Sequence, residues 1–277
     1  MVYVTNLIIL GVFMGNPFKV VRQQQIIEAV KFYRQVSVAE LSNRFNVSEV
    51  TIRRDLQELA DEGILERTHG GALATSRSAP EMPVIHRMSQ KGQVKESIGR
   101  AAERLIEDGE SIFIGSGTTT AYLARHLIDR KGLTVVTNAV TIATELASAE
   151  DITIVITGGV MRTSELSLVG HITEQALKEV RVDKIFIGIP AISIEKGLTN
   201  DFLPEVMTDR TIIEMAPELV LLADHSKFGK VGSAYVAPIN SITTLVTDLQ
   251  TDPAILQDLK DLGIQVIVAN NSNKGEL

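Results

Sequence analysis

Up to residue 73 the apolar positions keep mainly helical spacing; beyond residue 95, short apolar runs alternate with helical stretches. Ile26, Ile27, Val30 and Tyr33 recur at helical intervals and predict a helix over Arg22–Tyr33. Ser37 and Glu40 stand in capping-box register at the head of a second helix, which reaches about Phe45. Asn46-Val47 makes a tight turn, and Ser48 caps a third helix, SEVTIRRDLQELADEG, that stops at Gly63. A short helix, a turn and a longer helix compose a helix-turn-helix unit. After it, two short apolar-containing runs around Gly70-Gly71 predict a β-hairpin, placed as a wing beside the helices.

The second half predicts strands at Ser111–Ile114, Thr134–Thr137, Ile152–Thr157, Lys184–Ile187, Leu219–Leu222, Thr244–Val246 and Gln265–Val268. Helices fit between them, among them Glu96–Ile106, Thr119–Leu127, Ala139–Ala147 and Glu205–Met215. Such alternation implies a mostly parallel sheet with helices on both faces, a Rossmann-like α/β architecture. Residues 74–92, with serine, two prolines and little periodicity, read as a linker. The expected organisation is thus a winged helix-turn-helix over 16–74, a linker over 75–92 and an α/β domain over 93–277.

On a wheel of about 100° per residue, Ile52, Leu56 and Leu59 of the third helix fall within about 60° and must face a core. The opposite face holds Val50, Arg54, Gln57 and Asp61, flanked by Thr51 and Arg53. A face of this kind can enter a major groove. Arg54 can read guanine as a bidentate donor or hold a phosphate, and Val50 can touch a thymine methyl. Thr51 and Arg53 suit phosphate contacts that set register. Ser48 and Gln57 join them as candidates, and Arg67 and His69 in the hairpin are placed to reach backbone or minor groove. Two adjacent arginines on an exposed helix are most often a solvated face; the capped tri-helical frame around these two favours the groove.

Charge changes the picture only when it is divided. The chain carries 27 basic and 34 acidic residues, a net charge of −7. Residues 16–78 hold nine basic and eight acidic residues, a surplus of +1, and the remainder of the chain carries −8. Specific DNA binding would therefore rest on placed arginines rather than on a basic surface. The absence of cysteine excludes disulfides, thiolate metal sites and cysteine nucleophiles, and fits a reducing cytoplasm. Residues 1–15 carry no charged side chain, yet the run is shorter than the ~20 apolar residues of a spanning helix and lacks the features of a secretory signal. The expectation is a mis-started or disordered tail, not a membrane anchor.

The most informative loop is Gly115-Ser116-Gly117-Thr118-Thr119-Thr120, which follows a strand and opens a helix. Glycine permits close approach, serine and threonine supply hydroxyls, and the helix start supplies N–H groups and a positive dipole. This suits a phosphate or carboxylate. It lacks the lysine and length of a Walker loop and is not G-x-G-x-x-G, which disfavours nucleotide chemistry. Thr137-Asn138, Thr157-Gly158-Gly159 and Ala223-Asp224-His225-Ser226-Lys227 end other strands with polar groups, each of which also has a reading as plain turn chemistry. Ligands in such folds sit beyond the carboxyl ends of the strands.

The stretch RQQQIIEAV...VSVAELSNRFNVSEVTIRRDLQELADEGILERTHGGAL resembles the amino-terminal domain of DeoR-type transcriptional regulators, with TIRRDL and RTHGGA its most specific segments. KESIGRAAERLIEDGESIFIGSGTTTAYLARHL, LTVVTN, GGVMRTSELSLVG and VLLADHSKFGK extend the resemblance to the family's effector domain, through roughly residue 250. The resemblance implies an operator-binding winged helix-turn-helix and a sensor fold of the sugar-phosphate isomerase and CoA-transferase type. It also implies a phosphorylated sugar at Ser116, Gly117, Thr118, Thr119 and Thr120, helped by Lys95, Asn138, Gly158, Gly159, Asp224 and Lys227. The family usually has aspartate where Gly115 stands and commonly Gly-Ala-Asp-Gly where this chain reads Gly188-Ile189-Pro190-Ala191. Either the effector differs or the pocket is partly degenerate.

The expected function is a sugar-phosphate-gated repressor acting as a homodimer or homotetramer on repeated operator half-sites, with no catalytic residue, cofactor or metal. The rival is a sugar-phosphate isomerase with an accessory domain. It needs an acid/base pair near the phosphate loop, and Glu205 and Asp224 are its candidates.

Overall fold

The computed structural model describes residues 17–33, 35–73 and 83–270. The tail expected over 1–15 lies outside the described residues, as does most of the first half of the expected linker. The chain divides into two compact units between Gln90 and Lys91, and each is taken by itself.

The first unit runs α1 (Pro17–Tyr33), β1 (Gln35–Ser37), α2 (Val38–Phe45), α3 (Glu49–Asp61), β2 (Glu66–Thr68), β3 (Gly71–Leu73) and α4 (Val84–Met88). Both expected caps form. The Glu40 amide donates to Ser37 Oγ while the Ser37 amide donates to Glu40, and the Thr51 amide donates to Ser48 Oγ. Asn46 ends α2 in the left-handed region at φ 52°. Ile52, Leu56 and Leu59 are fully buried, with Ile26, Ile27, Val30, Leu41 and Ala72 in the same core. Each of the leucine, isoleucine and valine side chains contributes about 1.5–3 kcal/mol by leaving water.

Three features differ from expectation. The first helix begins at Pro17, five residues early. The hairpin is a three-stranded antiparallel sheet of order β1-β3-β2, because Gln35–Ser37 pairs with Gly71–Leu73 before Ser37 caps α2. Part of the expected linker is helix: α4 packs on α1, burying Val84, and Ser89 Oγ donates to Gln24 at 3.1 Å. One helical turn and a half is too short to show periodicity.

The second unit continues with α5 (Gly92–Glu103), β4 (Ser111–Ile114), α6 (Thr118–Arg125), β5 (Leu133–Thr137), α7 (Val140–Leu146), β6 (Ile152–Ile156), β7 (Val160–Arg162), β8 (Ser167–Val169) and α8 (His171–Lys178). Then come β9 (Lys184–Ile187), β10 (Ala191–Ser193), β11 (Gly197–Asn200), α9 (Leu203–Ile213), β12 (Glu218–Leu222), β13 (Ala234–Ala237), β14 (Thr244–Asp248), α10 (Pro253–Asp261) and β15 (Gln265–Ala269). All seven expected strands form one parallel sheet of order β15-β14-β12-β9-β4-β5-β6. Its central strands β4 and β9 are continuous apolar runs, as burial on both faces requires. The β7-β8 hairpin and the antiparallel β10-β11-β13 sheet escape the sequence reading, their short strands lying outside the regular alternation of apolar runs and helices. No helix among the described residues is long and apolar enough to cross a membrane.

Candidate functional site

On the first unit, Ser48, Val50, Arg53, Arg54 and Gln57 are exposed along α3, and Thr51 is half-buried. Val50 is 75% exposed, a position that core packing does not explain. Arg54 keeps 81% of its side chain in solvent beside Glu58 at 3.6 Å, and Arg53 pairs with Glu49 at 3.1 Å. Arg67 of the wing donates to Gln57 Oε1, and Gln57 Nε2 donates to Asp61 at 2.7 Å. Wing and α3 are thereby joined by side chains on the outward face. His69 is exposed in the turn between β2 and β3.

Asp55, on the same helix, is buried and was not singled out by the sequence. Arg22 Nε and Nη2 donate to its two oxygens at 2.6 and 3.3 Å, clamping α3 to α1. Gln23 and Lys19 hold Glu58 likewise. Thus Arg53 and Arg54 project from a helix whose next residue is fixed beneath them.

In the second unit all seven sheet strands point the same way, so their carboxyl ends share one edge. Ser116, Asn138 and Gly188 follow the adjacent strands β4, β5 and β9. A small pocket there is lined by Gly115, Ser116, Asn138, Ile187, Gly188, Asp209 and Ile212. Gly117, at φ 138°, opens α6 in a conformation that favours glycine. Thr118, Thr119 and Thr120 are buried, and Thr120 Oγ1 donates back to the Gly117 carbonyl at 2.9 Å. The first N–H groups of α6 have no intrahelical acceptor, which is what an anion at a helix start uses.

Asn138 is 2% exposed. Its Nδ2 donates to the Leu168 carbonyl at 3.2 Å, which fixes the amide's orientation, and its Oδ1 is buried without a partner. Asp209 comes from α9 and lines the same pocket. It accepts from Asn200 Nδ2 at 3.0 Å, and Asn200 also donates to Glu205 at 3.3 Å. Glu205 is bound further by Arg162 and by Ser167 Oγ at 2.8 Å. Arg162 stacks over the Phe202 ring at 4.0 Å. Burial, and then the neighbouring Glu205, push the Asp209 carboxyl up to about 7 against the opposing pull of Asn200 and Arg162.

Asp224 and Lys227, and Gly158 and Gly159, follow strands that stand apart from β4. Strands β12 and β6 lie two places from β4 on either side, about 10 Å at ~4.8 Å per strand. Asp224, after β12, accepts from Lys91 Nζ at 2.7 Å and from Ser226 N and Oγ at 2.9 and 2.6 Å. Burial alone would raise this carboxyl; the hydrogen bonds from Lys91 and Ser226 outweigh it and hold Asp224 well below the usual carboxylate range. Lys227 follows in a turn of 3-10 helix, and Lys95 is buried on α5. Gly158 and Gly159 follow β6. A Cβ on Gly159 would lie 2.0 Å from Thr173 Oγ1, and its φ is 122°, so close packing already accounts for glycine there.

The carboxyls that the family commonly carries are absent at Gly115 and at 188–191, and the carboxylate residue that lines the pocket is Asp209, on a helix distant in sequence. Asp209 carried no motif; only the fold brings it beside Ser116.

Residues 22–78 match the family described as DeoR-like helix-turn-helix domain, and residues 90–249 that described as DeoR C terminal sensor domain. The HTH-type transcriptional regulator YulB of Bacillus subtilis (strain 168), itself uncharacterised, is 32% identical over 254 residues, covering 92% of this chain and 98% of its own length. The glycerol-3-phosphate regulon repressor of Escherichia coli (strain K12) is 35% identical over 245 residues, covering 88% of this chain and 97% of its own. Ribose 5-phosphate isomerase A of Methanocaldococcus jannaschii, a solved structure, matches 50% of this chain and 55% of its own at 21% identity, with a TM-score of 0.37.

Proposed function

We propose, from the premise that this chain belongs to the DeoR family of DNA-binding transcriptional regulators, that it represses a carbohydrate-utilisation operon and leaves its operator when a phosphorylated sugar binds. One observation carries the reading: a capped helix presenting Val50, Arg54 and Gln57 to solvent in one unit, and a Gly-Ser-Gly loop that follows a strand and opens a helix in the other, on one chain. The α3 face takes the major groove, with Arg54 at a guanine or phosphate and Thr51 and Arg53 at the backbone. Arg67 and His69 follow from the wing.

Ser116, Gly117, Thr118 and Thr119 receive the phosphate, and Asn138 meets the sugar. Thr120 shapes the loop through its bond to Gly117. Lys95, Gly158, Gly159, Asp224 and Lys227 act at the periphery of the same sheet edge. The assembly is a homodimer or homotetramer in the cytoplasm, so that two or more heads engage repeated half-sites. Release needs only that the effector prefer the arrangement that cannot hold DNA. A coupling of about 1–3 kcal/mol weakens operator binding by about 5–150-fold.

Mobility-shift titration of the full chain against DNA from upstream of the genes it neighbours tests both halves. The absence of any specific complex at moderate salt removes the DNA role. A complex that no phosphorylated sugar weakens removes the gating. A second reading, a sugar-phosphate isomerase, is favoured by Asp209, a carboxyl near neutrality beside the cradle. Incubation with pentose and hexose phosphates, watched for isomer exchange, separates it from a binding role.

A further inference from the structure

The pocket beside the cradle has a polarity of its own. Asn138 presents a buried Oδ1 with no partner and has already committed its Nδ2 to Leu168. Asp209 of α9 lines the same pocket. Asn138 Oδ1 is an acceptor, Asp209 is one whenever it has given up its proton, and the remaining polar side chain that lines the pocket is the hydroxyl of Ser116, which can donate or accept. What the pocket lacks is a donor to Asn138 Oδ1, so a ligand group that donates hydrogen bonds fits here.

Charge narrows the group further. The charged neighbours that act on Asp209 are Glu205, one helical turn back on α9, and Arg162 of β7. Arg162 is bound to Glu205. Of the other charges around α9, Glu174 of α8 accepts from Thr208, and Arg210 donates to the Tyr235 carbonyl. Arg162 thus acts on both Glu205 and Asp209, and burial with the neighbouring Glu205 leaves Asp209 holding a proton toward neutrality. A cation arriving from the ligand would replace that proton. A neutral hydroxyl would satisfy Asn138 and leave Asp209 to keep its proton, gaining nothing from its charge.

We propose that the effector is a phosphorylated amino sugar, its ammonium group bound between Asp209 and Asn138 Oδ1 and its phosphate at the start of α6. This rests on the reading of Ser116–Thr119 as a phosphate cradle given above. It makes Asp209 the residue that selects the effector, on a helix where the sequence shows no motif.

Calorimetric titration of the full-length protein in phosphate-free buffer at pH 8 tests it. The probes are the 2-amino-2-deoxy hexose 6-phosphates of gluco, galacto and manno configuration, each against its 2-hydroxy parent, with inorganic phosphate and free glucosamine beside them. At least one amino compound should bind tenfold or more tighter than its parent. Asp209→Asn should cut that preference to within about threefold while leaving the affinity for inorganic phosphate unchanged, and Asn138→Ala should weaken both members of the pair. Equal affinity within every pair, or a preference that survives Asp209→Asn, overturns the proposal. If no phosphate compound binds, the cradle falls and the proposal with it. If free glucosamine binds as tightly as its phosphate and needs Asp209, the cradle falls while the ammonium site stands.

Discussion

The Asp209 carboxyl makes the stability of the second unit depend on pH in an unusual direction. An ordinary aspartate titrates near 3.8, and here burial and Glu205 raise it to about 7. Between those values the folded chain holds a proton that the unfolded chain has released. Stability attributable to this group is therefore intact below pH 4 and is lost as pH rises through about 7. The full difference is about 4 kcal/mol at ~1.4 kcal/mol per pH unit, of which about 3 kcal/mol falls between pH 5 and pH 8.

Asp209→Asn removes the titration and keeps an oxygen to accept from Asn200 Nδ2. The variant should match the wild type near pH 5 to within about 2 kcal/mol and exceed it increasingly toward pH 8. For a unit of this size, 3 kcal/mol corresponds to about 6–12 °C in melting temperature. Scanning calorimetry at pH 5, 6, 7 and 8 in phosphate-free buffer reads the gap between the two proteins. A gap that does not widen with pH refutes the reasoning, because apart from Asp209 and the Glu205 carboxyl that acts on it the titrating groups of the two proteins are the same.

Asp55→Ala should cost the first unit about 3–5 kcal/mol by leaving Arg22 without its carboxylate partner. Thermal melting followed by circular dichroism shows whether it does. Arg54→Ala should lower the slope of log affinity against log salt by about 1 if Arg54 holds a phosphate, and leave it unchanged with relaxed base preference if it reads guanine. Gly159→Ala should destabilise the second unit by roughly 1–3 kcal/mol, because its Cβ meets Thr173 at φ 122°. Urea titration measures it, and a neutral result would mean that the β6–β7 turn relaxes freely.

Much of the fold was legible because its signals are local. Ser37, Glu40 and Ser48 announce helix starts in their own turns, and Ile52, Leu56 and Leu59 mark a face by spacing alone. Continuous runs such as Ile112–Ile114 and Ile185–Ile187 mark strands buried on both sides. β1 stayed hidden because three residues beside a helix cap leave no alternation to read. In the site, Ser116 and Gly117 were legible as a loop between strand and helix. Asp209 and Arg162 were not, because their roles depend on α9 and β7 being folded over the same sheet edge. Asp55 was hidden by charge: an aspartate in a row of exposed ionic residues reads as solvated until Arg22 is placed against it.

The bond from Arg67 to Gln57, and from Gln57 to Asp61, joins the wing to the helix before any DNA arrives. Its consequence reaches engineering. Transplanting α3 from a relative to change operator preference would sever this chain unless positions 57, 61 and 67 travel together. Substitutions at the three should be non-additive, with the double change at 57 and 67 departing from the sum of the singles by about 0.5–3 kcal/mol in binding. On the reading that α3 enters the groove, the unit of inherited specificity is a helix and the wing residue bonded to it, rather than a helix alone.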